Sequence, residues 1–157
     1  MAQRDGETSF SDGKVLVQLR NGVTFSLSTP EEFNWAAGGA KGHMLGSDGL
    51  PYAITKGKYE PTWDTTAGQE EGFELLQALA AVDSTVAALD QDFAMTISYR
   101  RARAVGLTVL KLGGCQLEDI SQALKSGEGN RIPLKGKFKT MSLSVDGGAA
   151  FNPMAAA

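Results

Sequence analysis

Residues 14–28 read KVLVQLRNGVTFSLS. Val15, Val17 and Leu19 alternate with Leu16 and Gln18. Beyond Asn21-Gly22, the residues Val23, Phe25 and Leu27 alternate with Thr24, Ser26 and Ser28. A period of two places every second side chain on one face of a strand. Asn-Gly suits a type I′ turn, in which both central residues take positive φ. The stretch is read as a β-hairpin with one apolar face, and that face needs further β-structure or a helix to cover it.

The same alternation recurs further along the chain. Phe93, Met95, Ile97 and Tyr99 point one way and Ala94, Thr96, Ser98 and Arg100 the other, giving a strand over 91–103. Gly106 turns that strand into 107–112, a second hairpin. Gly113-Gly114 breaks or bends the returning strand before Cys115 and Leu117 continue it. Residues 118–129 read as a polar connection. Between 130 and 145, Ile132, Leu134 and Phe138 are apolar at even positions, whereas Met141, Leu143 and Val145 are apolar at odd ones. Such a phase change means a bulge near Lys139-Thr140 or a switch of the buried face. Residues 51–63 read as a strand interrupted at Gly57 and ended near Pro61.

One helix is expected, from Thr66 to Asp83. Thr66 precedes Gln69 by three residues, as in a capping box. Glu70 and Glu71 fall in the first turn, where the helix dipole favours anions. Phe73, Leu76, Leu79 and Ala80 form its apolar stripe, widened by Leu75. The fold class is mainly β, a sandwich or split barrel of about six or seven strands with one packed α-helix, α+β at the margin. The organisation is a flexible N-terminal arm (1–13), one β domain (14–145) and a loose C-terminal tail (146–157).

Within the domain, 29–50 reads as a long inserted loop. Pro30-Glu31-Glu32 opens a short helical turn carrying Phe33 and Trp35, and the remainder is rich in glycine. Trp35, Met44 and Leu45 are costly to leave bare, so they either tuck back onto their own domain or pack on a neighbouring subunit. His43 in the same loop is a surface or interface residue. Arg100, Arg101 and Arg103 straddle the strand that they close. That arrangement suits inter-subunit salt bridges better than a phosphate pocket.

Composition narrows the function classes. The 157 residues carry a formal net charge of −3, which offers no basic excess for gripping phosphates. Cys115 is the single cysteine, so no internal disulfide forms, and with one histidine it cannot build a zinc site without several carboxylates. No apolar run reaches the ~18 residues of a membrane helix, and 1–12 lacks the apolar core of a secretory signal. GxxxxGK[ST], GxSxG, HExxH and CxxC are absent from the sequence. The carboxylate pairs Glu31/Glu32, Asp90/Asp92 and Glu118/Asp119 flank strands, where solvated charge is ordinary. No catalytic residue, metal or cofactor is called for, and the chain is not expected to be an enzyme.

The order of elements resembles the tail tube proteins of bacteriophages. The likeness rests on KVLVQLRNGVTFSLS, on KGKYEPTWDTTAGQEEGFELLQALA (56–80), on DFAMTISYRRA (92–102) and on NRIPLKGKFKTMSLSV (130–145). It implies a structural virion protein whose hexameric rings stack into a hollow tube, with strands joined across subunits around the lumen and the helix outside. It further implies a tail sheath as partner if the tail contracts, a tape-measure protein in the lumen, a baseplate hub and a tail terminator. DNA would pass without specific binding. Localisation would be the virion tail, after assembly in the host cytoplasm. Two rivals remain: a baseplate, neck or terminator component of the same fold, and a small monomeric β-barrel with a ligand pocket.

Overall fold

In the computed structural model, described over residues 13–27, 33–38, 41–45, 47, 49–55, 59–100, 106–121 and 131–154, the opening hairpin pairs β1 (Lys14–Leu19) with β2 (Thr24–Leu27). Val15, Val17, Leu19 and Leu27 point into the core. The turn differs from type I′. Gly22 takes φ +86°, whereas Asn21 does not take positive φ. The Gly22 N–H donates to Leu19 O at 3.0 Å and the Leu19 N–H to Val23 O at 2.9 Å. These bonds define a three-residue connection with a left-handed glycine, the next commonest hairpin solution. The Asn21 side chain accepts from the Val23 N–H at 3.1 Å instead of bending its own backbone.

Ten strands are formed among the described residues, more than the sequence pattern suggested. Residues 33–68 form β3 (Phe33–Ala36), β4 (Gly42–Leu45), β5 (Pro51–Thr55) and β6 (Thr62–Gly68), of which β3 and β4 are additional. Phe33 and Trp35 therefore lie on a strand rather than in a helical turn. The glycine-rich segment contributes β4, which pairs antiparallel with β5. The expected strand over 51–63 is two strands, β5 and β6, which belong to different sheets.

The helix α1 runs Gln69–Val82 and starts later than the capping-box reading, because Thr66 belongs to β6. Gly68 caps it without a side-chain hydrogen bond. Strand pairing to β9 (Arg131–Lys137) holds Thr62 through Gly68 extended and so displaces the helix start. The buried stripe is Gly72, Leu75 and Leu79, with Leu76 partly buried, while Phe73 is 40% exposed. Burying Leu75 and Leu79 contributes roughly 1.5–3 kcal/mol each, which fixes the helix against β6 and β9.

The remaining strands are β7 (Phe93–Tyr99), β8 (Thr108–Ile120) and β10 (Thr140–Ser144). Two sheets result. One is ordered β2-β1-β7-β8-β10, and the other β8-β9-β6-β3. They share β8, whose first half pairs with β10 and whose second half pairs with β9. Residues Glu118–Ile120 extend this strand and are not part of a loop. Strands β9 and β10 form one continuous partner for β8, kinked at Phe138-Lys139, where the Lys139 N–H donates to Gly113 O at 2.9 Å.

Both partners change phase at this kink. On β8 the buried residues are Thr108, Leu110 and Leu112, then Cys115 and Leu117. On the other side they are Ile132, Leu134 and Phe138, then Met141. The phase change expected near Lys139-Thr140 is present, but as a break between β9 and β10 that leaves the register to β8 unshifted, Gly113 pairing with Thr140 and Gln116 with Lys137; opposite it, Gly114 takes φ +64°. An L side chain is strained at that φ. The hairpin thereby passes from one sheet to the other with its apolar residues still directed inward.

The core joins Val15, Val17, Met95, Ile97, Leu110 and Leu112 of the first sheet to Trp63, Leu117, Ile132 and Leu134 of the second. Trp63 stacks on Phe33 at 6.3 Å between centroids and meets Phe93 edge-on at 6.0 Å, and its Nε1–H donates to Lys137 O at 3.3 Å. It sits flat against Gly136, where a Cβ would lie 2.7 Å from the indole and 2.0 Å from Gln116 O. Gly136→Ala should destabilise the fold by about 2–3 kcal/mol or more through overpacking against backbone. Gly38→Ala, with nothing within 4 Å, should leave the urea midpoint within experimental error of the parent.

Candidate assembly surface

Where the sheets end, backbone has no strand partner among the described residues. Strand β2 closes the first sheet and β3 the second, each four residues long. The Leu19–Val23 hydrogen bond sets the alternation along β1 and β2, so Phe25 and Leu27 bond inward to β1. The N–H and C=O groups of Thr24 and Ser26 then point away from the sheet. A bare row of such groups is a template for another strand.

The β3 edge adds an apolar side chain to that template. Trp35 stands opposite Trp63 in the register and so shares its face. Trp63 is 2% exposed and Trp35 is 40% exposed; among the described residues β3 is the last strand of its sheet. On the other face, the Asn34 side chain donates to Asp64 at 2.9 Å, a polar pair that suits water.

The β4–β5 hairpin forms a separate two-stranded sheet. The Glu60 N–H donates to Gly38 O at 3.0 Å near its base. Two strands alone are marginal in water. Met44 on β4 is 46% exposed, and Leu50 and Tyr59 beside the hairpin are also exposed. His43 and Leu45 flank Met44 in the same strand, paired with Ile54 and Pro51. Trp35, His43, Met44 and Leu45 thus fall on β3 and β4. Arg100 is elsewhere: it follows β7 in the first sheet and is exposed. Arg101 and Arg103 lie outside the described residues.

A shallow open cleft of about 440 Å³ lies at the kink of the shared hairpin, lined by Tyr59, Glu60, Pro61, Gln116, Lys137 and Lys139 among others. Its lysines reach exposed carboxylates, Lys137 to Glu118 at 3.6 Å and Lys139 to Asp92 at 3.8 Å, contacts worth little in water. Small-ligand sites are usually enclosed and apolar with a few converging polar groups, and this cleft lacks that character. Among the described residues, no group of three or more His, Cys, Asp and Glu is placed to hold a metal ion.

Sequence reasoning missed the edge-forming role of Ser26 and Asn34, and missed β3 altogether. The period-two pair Phe33 and Trp35 carried the signal, but Pro30-Glu31-Glu32 imitates the start of a helix.

Among the described residues, eight strands in two sheets sharing a kinked hairpin, a separate two-stranded sheet and one α-helix on the second sheet can be set beside known structures. The six-fold symmetrised baseplate of the anti-feeding prophage contains a chain that matches with a TM-score of 0.61 and 10% identity, over 92% of this chain and 97% of that one. The fold is shared with that chain. The tail tube of SPP1, determined by solid-state NMR and cryo-EM, matches at TM-score 0.59 and 9% identity, over 84% and 76% of the two chains. A crystal structure of an Hcp protein matches at 0.54 and 10%, over 89% and 95%. No family model and no curated protein matches the sequence.

Cys115 lies where the two sheets meet and is fully buried. Burial pushes its thiol up to about 12, so the reactive thiolate is scarce in the folded protein. An aromatic disulfide reagent at pH 8 should therefore label Cys115 only after denaturant unfolds the chain. Because the folded pKa is raised, the unfolded state gives up its proton first. Stability should then fall as pH rises from about 9 towards 12, by up to about 1.4 kcal/mol per unit, as read by urea midpoints.

Proposed function

We propose that this chain is a structural subunit that polymerises as stacked rings into a hollow tube of the phage-tail type. The observation that carries the reading is the pairing of bare strand edges at β2 and β3 with exposed apolar side chains at Trp35 and Met44, on a fold otherwise seen in tubes and baseplates. Free edges are a hazard for a monomer. A closed ring of identical copies removes them and limits lateral growth, while head-to-tail stacking stays open. One structural neighbour comes from a six-fold symmetrised assembly, which supports hexameric rings here.

In this reading β2 and β3 are lateral joints, and the projecting β4–β5 hairpin with Met44 contacts an adjoining subunit. His43, Leu45, Arg100, Arg101 and Arg103 are proposed contacts of the same kind. Sheath, tape-measure protein, baseplate hub and terminator are the proposed partners, and DNA the proposed cargo. The virion tail is the proposed location, after assembly in the host cytoplasm. The net charge of −3 suits a conduit that does not hold a polyanion. A second reading, a baseplate component, is favoured by the anti-feeding prophage match.

Negative-stain microscopy of purified protein should show hollow filaments of uniform width; isolated rings would support the baseplate reading, and monomers at every concentration would overturn both. Ser26→Pro removes an outward N–H at an edge where proline is tolerated. It should lower assembly at least tenfold in sedimentation, with a thermal midpoint close to the parent's. Met44→Asp should likewise weaken assembly while leaving the monomer's far-UV circular dichroism unchanged.

A further inference from the structure

The first sheet has a second border, the outer side of β10, and this one is guarded. After Ser144 the chain turns back. The Thr108 hydroxyl donates to Asp146 at 3.3 Å, and the Gly147 N–H donates to Leu107 O at 2.9 Å, which pins the turn to the start of β8. The following residues run antiparallel to β10 and meet it at one bridge. There the Leu143 N–H donates to Phe151 O at 2.8 Å and the Phe151 N–H donates to Leu143 O at 3.0 Å. Met154 packs against the core beyond it. Residues 146–154 of the tail, expected to be loose, form a strap along a sheet edge.

The strap is a slight cover for that edge. Among the described residues one backbone bridge and the Ser144 hydroxyl, which donates to Gly148 O at 2.7 Å, join it to β10, and Phe151 remains 51% exposed. Directly paired residues share a face. Phe151 therefore stands on the side of Leu143, which is the apolar side of the sheet, in the place where a further strand would set an apolar residue.

The strand directions say what that further strand is. Strands β2, β7 and β10 all run opposite to β1 and β8. Rotation about a ring axis does not reverse a strand, so a cyclic array joins the β10 border of one copy to the β2 border of the next as a parallel pair. The β2 border has no strand partner among the described residues, and its inward-facing Phe25 and Leu27 match the polarity of Phe151. We propose that residues 149–154 act as a removable guard on β10, and that ring closure replaces Phe151 with the β2 edge of a second copy. The inference rests on the tube reading and adds a checkpoint to it: a free subunit shows one open border of this sheet and withholds the other.

The test locks the guard in place. Bridge partners of this type have Cα atoms about 5.5 Å apart, within disulfide range, and buried Cys115 does not compete. The double variant Leu143→Cys with Phe151→Cys, once oxidised, should stay monomeric by light scattering. Reducing the same sample should restore assembly. Phe151→Pro, which removes one bridge donor and keeps Met154, should lower the critical concentration by about tenfold, roughly the factor for releasing backbone hydrogen bonds. If oxidised and reduced forms assemble alike while the parent makes rings, the guard is refuted and the tube reading stands. If parent and Phe151→Pro both remain monomeric at all concentrations, both ideas fall. Should the double variant not fold, the Phe151→Pro critical concentration decides alone, an unchanged value refuting the guard.

Discussion

The whole arrangement depends on one hairpin belonging to two sheets. Strand β8 has β7 and β10 as neighbours along its first half and β9 along its second. The interior must lie on the same side of the molecule throughout, although the sheet carrying the hairpin changes. A regular ribbon cannot meet that requirement, because alternation would send Leu117 and Phe138 outward if Leu112 and Met141 point inward. Extra residues at Gly113-Gly114 and Lys139-Thr140 restore the inward phase. Trp63 then seals the junction, touching Phe33 and Phe93 and bonding to the backbone of Lys137.

What was legible in the sequence follows from how local each signal is. The hairpin of residues 14–28, the β7 alternation and the phase change near Lys139 are all short-range patterns, and the structure contains each of them. The helix was legible in kind, but its start was not. Thr66 carries capping chemistry, yet pairing with Pro133 holds it in β6, and nothing near it in sequence announces that partner. Phe73 looked like part of the buried stripe for the same reason: periodicity reveals that a helix has an apolar face, and packing decides which turn of it faces the core. The two extra sheet edges were least legible. An edge is a statement about absent neighbours, which no local pattern encodes. Of the contact residues read from sequence, Trp35 and Met44 are placed as exposed side chains on β3 and β4, while Arg100 belongs to a different part of the first sheet.

A subunit that assembles must first remain soluble, and the two needs conflict. The exposed edges are only four residues long, which limits how strongly any single stray contact binds. Polar side chains alternate with the apolar ones along β2, so pairing in the wrong register exposes or buries the wrong set. In the proposed assembly, such features would allow weak, reversible trials between copies, with stability gained only when many joints close together.

The paired kink also bears on descent. A one-residue loss from β8 alone would set its pairing with β9 one residue out of register with its pairing with β10, and a loss from the β9–β10 strand alone would do the same. Deletions at Gly113-Gly114 and at Lys139-Thr140 are therefore tolerable only in concert. Lineages that share this architecture should keep both insertions or neither, leaving correlated gaps at two places some twenty-five residues apart as a trace of common ancestry that survives after side-chain identity has faded.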